Sequence, residues 1–150
     1  MKIGKQSLRD KQHWLLSRAT KGILVKTIAD FRRHQAFSIL KDFLGKAPVL
    51  FHGTRYANAI VSSGWLLAPT LGDKCVSFSR NPAVAIYMAA LEREDDEGQG
   101  TVFVVDRNVL ASRYRLYTRC NGFEFREEAE EAVWQDVRLT KGLILDQVRL

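Results

Sequence analysis

A chain of 150 residues, 46% hydrophobic and 27% charged, is sized for one domain that buries a core unaided, which excludes wholesale disorder. Its net charge of +6 is lopsided: residues 1–46 hold eleven Lys/Arg against Asp10, Asp30 and Asp42, an excess of +8, which leaves −2 for residues 47–150. No apolar run is long enough to span a bilayer as a helix and the first residues lack a signal-peptide core, so a cytoplasmic protein is expected.

From Ser7, a candidate N-cap, to about Leu44 the apolar residues recur at three- and four-residue steps: Trp14 and Leu15, Ile23 and Leu24, Ile28 and Phe31, then Phe37, Leu40, Phe43 and Leu44. Gly22, with Thr20, suggests two helices or a break rather than one rod, and Gly45-Lys46-Ala47-Pro48 reads as the helix stop and a short linker. The expected organisation is a basic helical extension over 1–46 and a second unit over 47–150. The Arg32-Arg33-His34 cluster suits either a solvated helix face or an anionic partner.

Val49-Leu50-Phe51 reads as a buried strand that runs into His52-Gly53-Thr54. Tyr56 to Ser62 is a short helix closed by Gly64, and Trp65-Leu66-Leu67 follows it. Cys75 to Phe78 is the next strand, and Asn81-Pro82 opens a helix to Glu92 with Val84, Tyr87, Met88 and Leu91 as its stripe. The acidic stretch to Gly100 is a loop, and Thr101 to Val105 is the clearest strand. Asn108 to Ala111 is a helical turn, Arg113 to Thr118 alternates as an exposed strand, and Asn121-Gly122 is a turn. Val133 to Leu139 and Leu143 to Leu150 read as two closing strands around Lys141-Gly142. Short strands outnumber helices after residue 48, so the expected class is α+β with mostly antiparallel strands.

Cys75 and Cys120 are too few for a metal knuckle, and His13, His34 and His52 have no second ligand at helical or hairpin distance, so no metal is expected. The chemistry concentrates elsewhere. His52-Gly53-Thr54 sets an imidazole, a side-chain-free backbone and a hydroxyl together, Ser77-Phe78-Ser79-Arg80 adds donors, and Glu127, Glu128, Glu130 and Glu131 crowd before Ala132-Val133-Trp134.

In order and separation, Phe51-His52-Gly53-Thr54, Ser63-Gly64-Trp65-Leu66, Val76-Ser77-Phe78-Ser79-Arg80 and Glu128-Ala129-Glu130-Glu131 resemble the ADP-ribosyltransferase superfamily, most of all its small phage and bacterial members. The resemblance runs from Pro48 to the C-terminus. It implies a split, mostly antiparallel pair of sheets with flanking short helices, and NAD as co-substrate. It further implies that His52 bonds the adenine-side ribose, that the Gly53 backbone grips the nicotinamide amide, and that Thr54, Ser77 and Ser79 support the site. Arg80 would meet the pyrophosphate, while Phe78 and Tyr87 are candidates to stack on nicotinamide.

Breaking the bond between nicotinamide and ribose creates an oxocarbenium-like ribose, so a carboxylate must lie beside it. The resemblance ranks Glu130 first for that role, then Glu131, then Glu128. If the strand has already begun, Glu130 and Glu131 point to opposite faces. The serine strand lacks the usual Ser-Thr-Ser, and a second stacking tyrosine is not evident.

Three functions fit: a mono-ADP-ribosyltransferase acting on a nucleic acid or a host protein, with the basic extension as contact surface; a catalytically inert protein of the same fold that binds and inhibits a host factor; and an RNA 2′-phosphotransferase, for which only Arg55 and Arg80 are evident phosphate ligands.

Overall fold

The computed structural model describes residues 35–70, 74–90, 100–119 and 130–150. The helical expectations for residues 7–34, the acidic loop, the Asn121-Gly122 turn and Glu128 lie outside the described residues. The described elements run α1 (Gln35–Leu44), β1 (Val49–Thr54), α2 (Ala57–Ser63), β2 (Trp65–Leu66), β3 (Val76–Ser79), α3 (Pro82–Ala90), β4 (Thr101–Asp106), α4 (Arg107–Arg113), β5 (Tyr117–Arg119), β6 (Glu130–Val133), β7 (Val137–Arg138) and β8 (Ile144–Arg149). The class is α+β, and the strand pairs are antiparallel.

Local chemistry fixes most of the boundaries. Gly64 closes α2 in the left-handed region at φ 76°, donating its N–H to the Ile60 carbonyl. Asp106 ends β4 and caps α4, its carboxylate accepting from the Asn108 and Val109 N–H groups. Two expected strands are shorter than their patterns suggest. Arg113 still belongs to α4, which leaves only Tyr117–Arg119 for β5. The run from Val133 to Leu139 breaks after Val133 because its halves join different sheets. β6 pairs with β3, whereas β7 pairs with β2, where Asp136 Oδ1 accepts from the Ala68 N–H at 2.7 Å.

The strands form a six-stranded sheet in the order β5-β6-β3-β1-β4-β8 and a two-stranded sheet of β2 and β7. Side-chain alternation gives the large sheet two different faces. Val49, Phe51, Val102, Val104 and Val148 lie on the helix face, buried against Ala36 and Leu40 of α1 and Ala85, Ile86 and Ala89 of α3. Leu50, Phe103, Val105, Val76, Phe78 and Val133 lie on the other, against Ile60 of α2, Leu110 of α4, and Leu66 and Val137 of the small sheet. We call this the small-sheet face. Helix α1, at the end of the expected N-terminal extension, thus shares the core of the sheet.

The buried side of α3 includes Val84 of the expected stripe together with Pro82, Ala83, Ala85, Ile86 and Ala89, while Tyr87 and Met88 are only half-buried and Leu91 lies outside the described residues. The displacement follows from how closely α3 approaches β1. A Cβ at Gly53 would fall on the Ala85 carbonyl oxygen and within 2.9 Å of the Ala89 backbone nitrogen, and one at Gly100 would fall on the Ala89 carbonyl oxygen. Small residues on the helix therefore meet side-chain-free positions on the sheet.

Gly53→Ala is accordingly expected to lower stability by about 1–3 kcal/mol through overpacking. Gly45→Ala, where an added Cβ has no atom within 4 Å, should lose nothing. Equal melting temperatures for the two variants would contradict this packing.

Candidate functional site

Strand β1 pairs with β4 along all six of its residues, but with β3 at one Cα pair, Phe51↔Ser79. Past that pair a side chain supplies the next link. The His52 Nδ1–H donates to the Ser77 carbonyl oxygen at 2.8 Å, since a carbonyl can only accept. The His52 ring is tilted 55° to Phe78 with centroids 5.6 Å apart, and Phe78 is the Cα partner of Glu131 on β6. His52, Phe78 and Glu131 therefore form one row on the small-sheet face. Two strand spacings, roughly 10 Å of backbone, separate the histidine from the carboxylate.

Glu131 is only 2% exposed, so its charge is maintained by what surrounds it. Arg107 grips it with both arms of the guanidinium, Nε to Oε2 at 2.9 Å and a terminal nitrogen to Oε1 at 2.8 Å. Arg80 adds a single 3.3 Å contact to the same Oε1. The hydrogen bonds from Arg107, followed by the bond from Arg80 and the charge of both, outweigh desolvation and hold the carboxyl below its ordinary pKa.

The geometry of this pair says something about the sheet. The Arg107 N–H donates to the Pro48 carbonyl, which places Arg107 four residues along from the His52 row and, on a flat sheet, three strands from β6. Those offsets amount to about 13 and 14 Å. A direct contact across that diagonal requires the corner to fold inward over the small-sheet face, in keeping with sheet twist.

Other expected site residues fall elsewhere. Ser79 is registered with Phe51 and Glu130 with Ser79, so both belong to the helix face, as does Ser77 by alternation. Glu130 is buried there, and Ser77 is half-exposed. The Thr54 hydroxyl accepts from the Tyr56 N–H and the Ser79 hydroxyl from the Asn81 N–H, each organising the turn into the next helix. Gly53 is covered on its helix-face side by α3. Tyr87 lies two residues from both Ala85 and Ala89, so helical geometry turns it away from Gly53. The structure thus brings His52, Phe78, Glu131 and Arg80 together and sets Gly53, Ser77, Ser79 and Glu130 behind them.

Arg107 was not among the expected site residues. Its parity with Phe103 and Val105 assigns it to the small-sheet face, but its partner depends on strand order. Chemically, the row offers a hydrogen-bonding imidazole and an ionised carboxylate backed by two guanidiniums, whereas Phe78, expected as a stacking surface, is 2% exposed and packed into the core between them. No protein-family model, curated protein or solved structure matches the chain.

A carboxyl whose folded pKa is depressed contributes stability that is present above its unfolded pKa and lost as pH falls through the folded value. Wild type should therefore lose urea resistance between neutral pH and pH 3 more steeply than Glu131→Gln, and parallel profiles would rule out this linkage. At pH 7, Arg107→Ala should cost about 2 kcal/mol, because it strips the paired bonds from a buried charge. Arg80→Ala should cost less than about 1 kcal/mol, Arg80 being 55% exposed.

Proposed function

We propose that the chain is an NAD-dependent mono-ADP-ribosyltransferase, a reading supported chiefly by the shared row of His52, Phe78 and Glu131. Residues far apart in sequence meet on adjacent strands, and they are the types this chemistry needs. His52 would orient the adenine-side ribose, with the buried Phe78 ring packed beside the imidazole to hold it in place. The carboxylate on the histidine's side of the sheet is Glu131, so on this reading Glu131 takes precedence over Glu130 as the group beside the nicotinamide ribose. The nicotinamide amide would meet the edge of β1 near Gly53, where registered pairing with β3 has stopped. The acceptor would be macromolecular, a nucleic acid or a host protein drawn by the +8 segment at residues 1–46.

A second reading is favoured by two specific observations. Helix α3 already occupies one side of Gly53, and two guanidiniums already compensate Glu131. Both features suit a protein that keeps the fold and uses it to bind and inhibit a host factor without turning over NAD.

Release of labelled nicotinamide from NAD separates the two. Under the transferase reading the wild type releases it, and His52→Ala and Glu131→Gln each slow release on the order of 10²-fold while circular dichroism stays native. Release that neither substitution alters would refute these residue assignments, and no release from folded wild type would leave the binding protein.

A further inference from the structure

The short strand β5 closes the large sheet at one edge, and the segment leading into it sorts its side chains by alternation. Tyr114 ends α4 in an extended conformation, at φ −130° and ψ 143°, and both Tyr114 and Leu116 pack against the core of the small-sheet face. Arg115 and Tyr117 are therefore directed to the other side. Register agrees, because Tyr117 is the Cα partner of Ala132, which shares the helix face with Glu130. Carried two residues further, the same register sets Arg115 against Trp134, whose neighbour Val133 belongs to the small-sheet core.

This corner presents two rings and two cations to solvent. Tyr117 is 39% exposed and Trp134 47%, and the Arg115 guanidinium lies 5.0 Å from the centroid of the Tyr117 ring. Arg113, at the end of α4, is exposed as well. The Tyr114 hydroxyl accepts from the Arg138 N–H at 2.9 Å, so the segment is tied to β7 before any ligand arrives. Residues 113–119 hold Arg113, Arg115 and Arg119 and no acid, although residues 47–150 together sum to −2. Arg119 stands opposite the buried Glu130 in register, whereas neither Arg113 nor Arg115 forms an ion pair among the described residues.

We infer that the β5–β6 corner binds single-stranded nucleic acid, with Tyr117 and Trp134 stacking on unpaired bases and Arg113 and Arg115 contacting phosphates. The arginines alone would draw any polyanion. The rings narrow the choice, because a base offers its flat face to a side chain only outside a duplex. An acidic protein would engage the arginines and leave the rings without flat partners. The corner lies on the helix side of β6 and the His52 row on the small-sheet face, so binding here does not depend on NAD turnover. Its consequence for the acceptor, which it narrows to a single strand, rests on the transferase reading.

Fluorescence titration of the full chain with oligothymidylate, a duplex of matched length and polyglutamate tests the inference. Oligothymidylate should bind wild type most tightly and quench tryptophan emission, and Trp134→Phe should remove the quench while keeping most of the affinity. Tyr117→Ala and Trp134→Ala, which preserve every charge, should each weaken binding roughly tenfold, whereas Tyr117→Phe should stay close to wild type. Arg115→Gln should reduce the slope of log affinity against log salt by about 0.7. Arg149→Gln, a charge-matched change on β8 at the opposite edge of the sheet, should alter neither affinity nor slope. Alanine variants that bind as wild type does, a duplex or polyglutamate that binds as tightly as the single strand, or a wild type that binds no oligothymidylate would each overturn the inference. If Trp134→Ala fails to fold, Tyr117→Ala and the quench lost in Trp134→Phe decide the matter. Binding in the expected order without nicotinamide release would keep this surface and reject the transferase reading, and nicotinamide release with the order absent would do the opposite.

Discussion

A carboxylate with almost no contact with water sits on a short strand, and the structure around it is arranged so that it can remain charged. Burying an isolated carboxylate is prohibitively costly, so Glu131 on β6 must have cationic partners. The partner that meets this need, Arg107, is anchored three strands away at the junction of β4 and α4. The pair therefore ties one flank of the six-stranded sheet to the other side of its centre. A hydrophobic pair at the same positions would have no comparable directional requirement. The bidentate geometry fixes how the two side chains meet.

The same sheet imposes a separation on the polar residues. Neighbouring residues of a strand cannot share a face, so the consecutive Glu130 and Glu131 are sent to opposite sides, as are His52 and Gly53. On the helix face the demand is for close packing, and Gly53 meets it by admitting the backbone of α3. On the small-sheet face the demand is for charge balance, and Glu131, Arg80 and Arg107 meet it together. A cofactor that used both His52 and Gly53 would have to approach β1 along its edge rather than from either face. That edge is where the β1–β3 ladder has been reduced to one registered pair and a histidine hydrogen bond.

Much of the local structure can be read from residue types, because the signals are short-range. Gly64 had to end a helix, Thr101 to Val105 had to be a strand, and Glu130 and Glu131 had to diverge once their strand began. What could not be read depends on tertiary contacts. Val133 to Leu139 looks continuous as a string, and only the assignment of its halves to separate sheets divides it. The burial of α3 departs from the expected stripe at Tyr87 and Met88 because apolar periodicity favours large residues, whereas a helix lying on glycines buries alanines. Arg107 went unnoticed because its importance comes from strand order, which places Glu131 within its reach although the two are distant in sequence.

The two roles suggested for Glu131 make opposite electrostatic demands. As a fold anchor it benefits from every positive neighbour, whereas a group that stabilises a developing ribose cation loses effect as its charge is masked. A fixed pair of arginines would favour the first role over the second. The unequal geometry of the two contacts relieves the conflict. Arg107, bidentate and the less exposed of the two, can satisfy the burial of the carboxylate by itself, whereas the single 3.3 Å contact from Arg80 adds charge that burial does not require.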